Sequence, residues 1–194
     1  MLELFNIHKS YAGQEILSGL SLALAPGEIL CLTGPSGSGK STALEIMAGL
    51  IRPDQGKVRR NAKIALLFQD DALIPWLNAA DNLAYVLPPQ TRLIPKWLER
   101  FGLSGKTYPP AMSGGMRRRL GLARAFAAEK KIILLDEPFA FLDQAWQYRV
   151  AEEIAAQVSA GTALALTAHS QDALNFPCLS GLPRQIIRLP IQKA

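Results

Sequence analysis

Residues 34–41 read Gly34, Pro35, Ser36, Gly37, Ser38, Gly39, Lys40 and Ser41, which is the spacing G-x-x-x-x-G-K-[ST]. Glycines in such a loop let the backbone approach an anion closely, and successive N–H groups form a concave nest. A helix opening directly after the loop adds its positive N-terminal end. The chemistry this suits is the cradling of a nucleotide's phosphates. Lys40 would bridge the β- and γ-phosphates, and the Ser41 hydroxyl would sit on Mg²⁺; Thr42, the next residue, is counted with the phosphate-binding set. The bland alternative is a flexible Gly/Ser turn. An apolar run before the loop and an apolar-periodic run after it argue against that alternative.

The second chemical feature is Asp136-Glu137-Pro138, which follows the apolar run Ile132-Ile133-Leu134-Leu135. Neighbouring side chains at a strand end point in different directions. Asp136 can therefore face Mg²⁺ while Glu137 faces the space beyond the γ-phosphate and polarises a water for in-line attack. A second acid favours hydrolysis over transfer to another acceptor, since a kinase must exclude water. The alternative is two solvated acids.

These groups need elements to hold them. Alternation or short apolar runs predict strands at 2–7, 17–24, 28–33, 62–68, 131–136, 162–167 and 185–189, and helical spacing predicts helices at 42–50 and 144–159. Pro26-Gly27 is a turn signal. Between 75 and 124 helical patterns are broken by Pro88-Pro89, Pro95 and Pro109-Pro110, the texture of a helical insertion. Strands alternating with helices, several of them continuously apolar, predict an α/β fold with a mainly parallel sheet covered on both faces.

Composition agrees with one globular unit. Of 194 residues, 49% are hydrophobic and 19% charged, which excludes a disordered chain. Lys+Arg 21 against Asp+Glu 16 leaves a net charge of +5, suited to nucleic acid, an anionic surface or a phosphate ligand. No aromatic interleaving accompanies the basic residues, so nucleic acid is not expected as a partner. The two cysteines, Cys31 and Cys178, are far apart and make no zinc pattern, as in a cytosolic free-thiol protein. The first six residues carry an early acid and do not read as a signal peptide. The uncharged stretch 154–171 is interrupted by polar residues and reads as a helix end, a turn and a strand, not a membrane span.

Further motifs, in order along nearly the whole chain, resemble the ATP-binding cassette (ABC) family: Ser113-Gly114-Gly115 before a basic helix resembles its signature, Gln69 its glutamine switch, Leu142-Asp143 its dimer-contact loop, His169 its switch histidine, and Tyr11 the aromatic that stacks on adenine. The resemblance implies a P-loop NTPase fold with an N-terminal antiparallel β part, a core of residues 1–75 and 125–194, and a helical signature subdomain at 76–124. It implies ATP and Mg²⁺ as cofactors, with Ser41, Gln69 and Asp136 around the metal. Glu137, His169, Gln69 and Lys40 would be the catalytic set. It also implies a head-to-tail dimer in which Ser113, Gly114, Gly115 and Asp143 of one copy meet the nucleotide bound by the other.

The signature departs from the family in detail, with Met112 and Met116 at its edges and Arg118 where the family often has Gln. Arg117, Arg118, Arg119 and Arg124 read as a solvated face, as ion pairs within the fold, or as contacts to phosphates or partner acids. Little chain lies between Gly56 and the 62–68 strand, where the family has a longer antiparallel sheet, and the C-terminal end is brief. The segment from Phe68 to Leu77 is similar to the nitrate/sulfonate/taurine group of importer ATPases. There Leu73, Ile74, Trp76 and Leu77 would either pack within the insertion or receive a helix of a membrane permease. The resemblance thus implies a cytoplasmic ATPase, peripheral on the inner face of the cell membrane and bound to permease subunits, with a solute-binding protein as an indirect partner. A cassette of a nontransport assembly, or of an exporter or lipid-moving system, is the alternative.

Overall fold

The computed structural model describes residues 1–88 and 92–189. Strands β1 (Leu2–Tyr11) and β2 (Gln14–Leu24) form a hairpin, followed by β3 (Ile29–Thr33), α1 (Lys40–Ala48), β4 (Gln55–Arg60) and β5 (Ile64–Leu67). Helices α2 (Ala79–Ala84), α3 (Leu93–Arg100) and α4 (Gly114–Ala127) come next. The chain returns through β6 (Ile132–Leu135), α5 (Gln144–Ser159), β7 (Ala163–Ala168) and β8 (Arg184–Arg188). Of the Pro88-Pro89 break, Pro89 lies outside the described residues.

Five strands form a parallel sheet in the order β5-β6-β7-β3-β8. Every residue of β3, β6 and β7 is buried, because both sheet faces are covered. Alternate residues serve two separate cores. Ile133, Leu135, Leu164 and Leu166 pack with residues of α2, α4 and α5, whereas Ile132, Leu134, Ala163 and Ala165 pack with β1, β2 and α1. Cys31 lies in the first of these cores, where burial pushes its thiol up to about 12 and leaves it inert.

The antiparallel part is larger than the sequence predicts. Strand β4 pairs with β1, with Leu2 opposite Arg60 and Leu4 opposite Val58, and completes a three-stranded sheet β2-β1-β4. Apart from half-buried Val58, every residue of β4 is exposed, so it carries no hydrophobic alternation to read. Lys57, Arg59 and Arg60 instead mark it as a sheet edge protected by charge.

The parallel sheet decides where the chemistry gathers. Leu67 is opposite Leu135, Leu135 opposite Leu166, and Thr33 opposite Ala168. The segments that follow β3, β5, β6 and β7 therefore leave from one edge, and they carry the phosphate loop, Gln69, Asp136-Glu137 and His169. Ligands of open α/β sheets bind at this carboxyl edge.

Candidate functional site: a phosphate cradle and a hydrolytic cluster

Gly39 closes the loop and caps α1 at φ 93, a left-handed conformation that glycine adopts without strain. A Cβ there would lie 2.9 Å from both Ile16 Cγ2 and Leu17 Cδ2, so the loop and β2 touch only because this residue is glycine. Lys40 is buried, and its Nζ donates to the carbonyls of Gly34 (2.8 Å) and Pro35 (2.9 Å). Ser38 Oγ is buried without a hydrogen-bond partner, an unmet group that an anion's oxygen would satisfy.

Two neighbouring clefts open on the sheet edge. One, of about 360 Å³, is lined by Tyr11, Ser36, Gly37, Gly39, Lys40, Ser41, Thr42, Gln69 and Glu137, with Ile16 behind them. The other, of about 560 Å³, shares Ser41, Gln69 and Glu137 and adds Asp136 and Phe141. The loop hydroxyls, the amide of Gln69 and the acidic pair thus meet in one place although they come from three parts of the chain. Tyr11 ends β1, is 44% exposed and carries the Lys9 ammonium 5.3 Å from its ring centroid; an aromatic ring at the rim is a group on which a flat base can stack.

The acidic pair is held by a residue that sequence reading missed. The buried Thr167 hydroxyl donates to Asp136 Oδ1 at 2.5 Å and accepts from the Glu137 N–H at 2.9 Å. One hydroxyl therefore orients both acids. Glu137 sits at φ 48, uncommon for a residue with a side chain, and its Oε1 lies 3.0 Å from His169 Nε2. A threonine in an apolar run reads only as a strand former, and its partners lie 30 and 31 positions away in sequence. Thr167→Val should destabilise the fold by about 1–3 kcal/mol by stranding the Glu137 N–H. A denaturant melt reads this, and phosphate release should fall alongside.

Ser113 N-caps α4, its Oγ accepting from the Met116 N–H at 3.2 Å. A Cβ on Gly115 would stand 2.9 Å from the Phe141 carbonyl oxygen, which explains a glycine there. Asp143 caps α5 in the same way, accepting from the Trp146 N–H at 2.8 Å. Ser113, Gly114, Gly115 and Asp143 line neither cleft, so the single copy does not bring them to its own phosphate loop.

The arginines of α4 do not share one solvated face: Arg118 is buried and paired with Asp71, Arg119 and Arg124 are half-buried and Arg117 is exposed, and each donates to backbone carbonyls. Arg117 donates to Met112 O, Arg119 to Phe101 O and Gly102 O, and Arg124 to Ala72 O. Of the apolar set after Gln69, Leu73 packs on the core while Trp76 is 75% exposed. Buried Asn82 shapes this turn, accepting from the Ile74 N–H and donating to Leu77 O at 2.8 Å. Among the described residues no helix is long and apolar enough to cross a membrane.

Known proteins share this architecture. The sequence model for the ABC transporter family matches residues 17–140. The taurine import ATP-binding protein TauB of Pseudomonas aeruginosa is 40% identical, over 92% of this chain and 77% of its own length. The aliphatic sulfonates import ATP-binding protein SsuB 1 of Pseudomonas syringae pv. syringae is 38% identical, over 85% of this chain and 71% of its own. A solved dimeric structure of a post-hydrolysis state of an ATP-binding cassette, bound to ADP and Pi, superposes with a TM-score of 0.86 at 27% identity, over 97% of this chain and 94% of that one. A parallel sheet with this loop, acidic pair and capped signature helix defines a P-loop ATPase. The chain belongs to the ABC transporter family, as an ATP-hydrolysing cassette.

Proposed function

We propose that two copies of this chain close head to tail on MgATP and that the cycle of closure and hydrolysis drives a membrane permease in small-molecule import. The observation that carries the reading is the division of the site. Lys40, Ser41, Gln69 and Glu137 meet in one cleft, while Ser113, Gly114 and Gly115 lie outside it on another helix. Each copy then supplies one half of a nucleotide site to the other.

In this reading the loop N–H groups and Lys40 hold the phosphates, and Tyr11 stacks on adenine. Ser41, Gln69 and Asp136 would hold Mg²⁺, an oxygen-donor set that suits a hard cation. Bound there, the metal would neutralise phosphate charge. Glu137 takes a proton from the attacking water, and His169, held against it, orients the pair and reaches toward the γ-phosphate. The partner's signature helix adds its N-terminal N–H groups and the Ser113 hydroxyl to that phosphate, so ATP joins the copies and hydrolysis releases them.

The named relatives are import ATP-binding proteins for taurine and aliphatic sulfonates, which supports an importer with an organosulfonate-like cargo. Exposed Trp76 and Tyr85 supply an apolar surface for the permease. The chain then sits on the cytoplasmic side, peripheral to the membrane, with residues 76–124 as the signature-bearing unit and a solute-binding protein handing the cargo to the permease from the opposite side.

Ser113→Arg tests the divided site. The single copy should bind ATP with unchanged affinity, while ATP-dependent dimers disappear from light scattering. Dimers that persist in the variant would show that the signature does not close on the partner's nucleotide.

A further inference from the structure

Arg118 is fully buried, one of the largest side chains to be so among the described residues, and it lines neither nucleotide cleft. Its fork joins two loops. Nη1 donates to Phe68 O (2.9 Å) and Asp71 Oδ1 (2.6 Å), and Nη2 donates to Asp136 O (2.8 Å) and Glu137 O (2.9 Å). Phe68 precedes Gln69, and Asp136 and Glu137 are the acidic pair itself. We propose that Arg118 is a positioning residue for ATP hydrolysis, holding the loop of Gln69 and the strand end of Asp136-Glu137 in one fixed relation from the signature helix.

Three observations carry this. First, the acceptors belong to both loops, so a shift of α4 moves both or breaks hydrogen bonds to one. Second, each loop contains a residue with a side chain in the left-handed region, Asp71 at φ 64 and Glu137 at φ 48, and such backbone persists only where its surroundings hold it. Third, the pairing needs a planar fork. An ammonium is a point charge with no second nitrogen to span the two loops, so lysine cannot replace arginine here. Asp71 supplies the countercharge. Burial raises its carboxyl, and the Arg118 charge and hydrogen bond work against that rise.

The inference rests on the reading of Glu137 and Gln69 as hydrolytic groups, and the controls separate the two. Phosphate release and MgATP affinity are measured on the full chain as wild type, Glu137→Gln, Arg118→Lys and Arg118→Ala, the last with and without methylguanidinium. Arg118→Lys keeps the charge opposite Asp71 and should fold. Its kcat should fall by about 10–100-fold, the usual cost of losing a group that orients a reacting one, with ATP affinity unchanged. Arg118→Ala should lose as much, and methylguanidinium should restore part of it. Unchanged kcat in a folded variant overturns the proposal. So does a joint loss of affinity and kcat without rescue, or failure of both variants to fold, each of which assigns Arg118 to stability alone. A wild-type chain that does not hydrolyse MgATP, or a Glu137→Gln chain that does, removes the underlying reading and this proposal with it.

Discussion

A Glu137→Gln chain is expected to bind MgATP as the wild type does while its phosphate release falls by about 10²–10⁴-fold, the range that a positioned general base supplies. The geometry makes glutamine the informative substitution. The amide keeps an oxygen where Oε1 stands 3.0 Å from His169 Nε2, so the imidazole keeps an acceptor and the φ 48 backbone keeps its Thr167 contact. What is lost is basicity alone. With the γ-phosphate intact and the cradle untouched, nothing releases the two copies, and the variant should accumulate as an ATP-bound dimer. Phosphate release in single turnover and the dimer fraction by light scattering are the two readings. Release near the wild-type rate would move the water-activating role away from Glu137 and leave His169 as the group to vary next.

The legible parts of this protein were those whose signal is local. The phosphate loop lies within eight consecutive residues between an apolar strand and a periodic helix, and α5 shows its own spacing from Gln144 to Ser159. Strand β4 was hidden because an edge strand on a solvated sheet has almost no buried side to alternate. Thr167 was hidden because its importance lies in two partners just past the end of another strand. Arg118 was the hardest to read. Three consecutive arginines on a helix point in directions about 100° apart, yet composition treats them alike. Only the packing reveals that the middle one enters the core while Arg117 and Arg119 reach carbonyls at its sides. Four acceptors spread over residues 68 to 137 leave no pattern in a single chain.

Lys40→Ala should act at the opposite end of the cycle, weakening ATP binding by about 10–150-fold. That range follows from about 1.5–3 kcal/mol for hydrogen bonding to a charged group. The ammonium is nearly buried and already bonded to Gly34 and Pro35 carbonyls, which uses two of its three donors. It therefore closes the loop as well as facing the phosphates. Alanine removes both contributions, leaving two carbonyls turned toward the place where an anion must sit. Titration with MgATP reads the affinity, and a melt reads the loop. Unchanged affinity in a folded Lys40→Ala chain would mean that the glycine nest alone holds the phosphates. The two variants also constrain each other. If Glu137 acts on water and Lys40 on phosphate, the first spares binding and stops turnover, whereas the second lowers turnover through occupancy, and raising ATP recovers part of it. A reversed pattern, with occupancy lost at Glu137 and saturating turnover lost at Lys40 alone, would exchange the roles assigned to the acid and the ammonium.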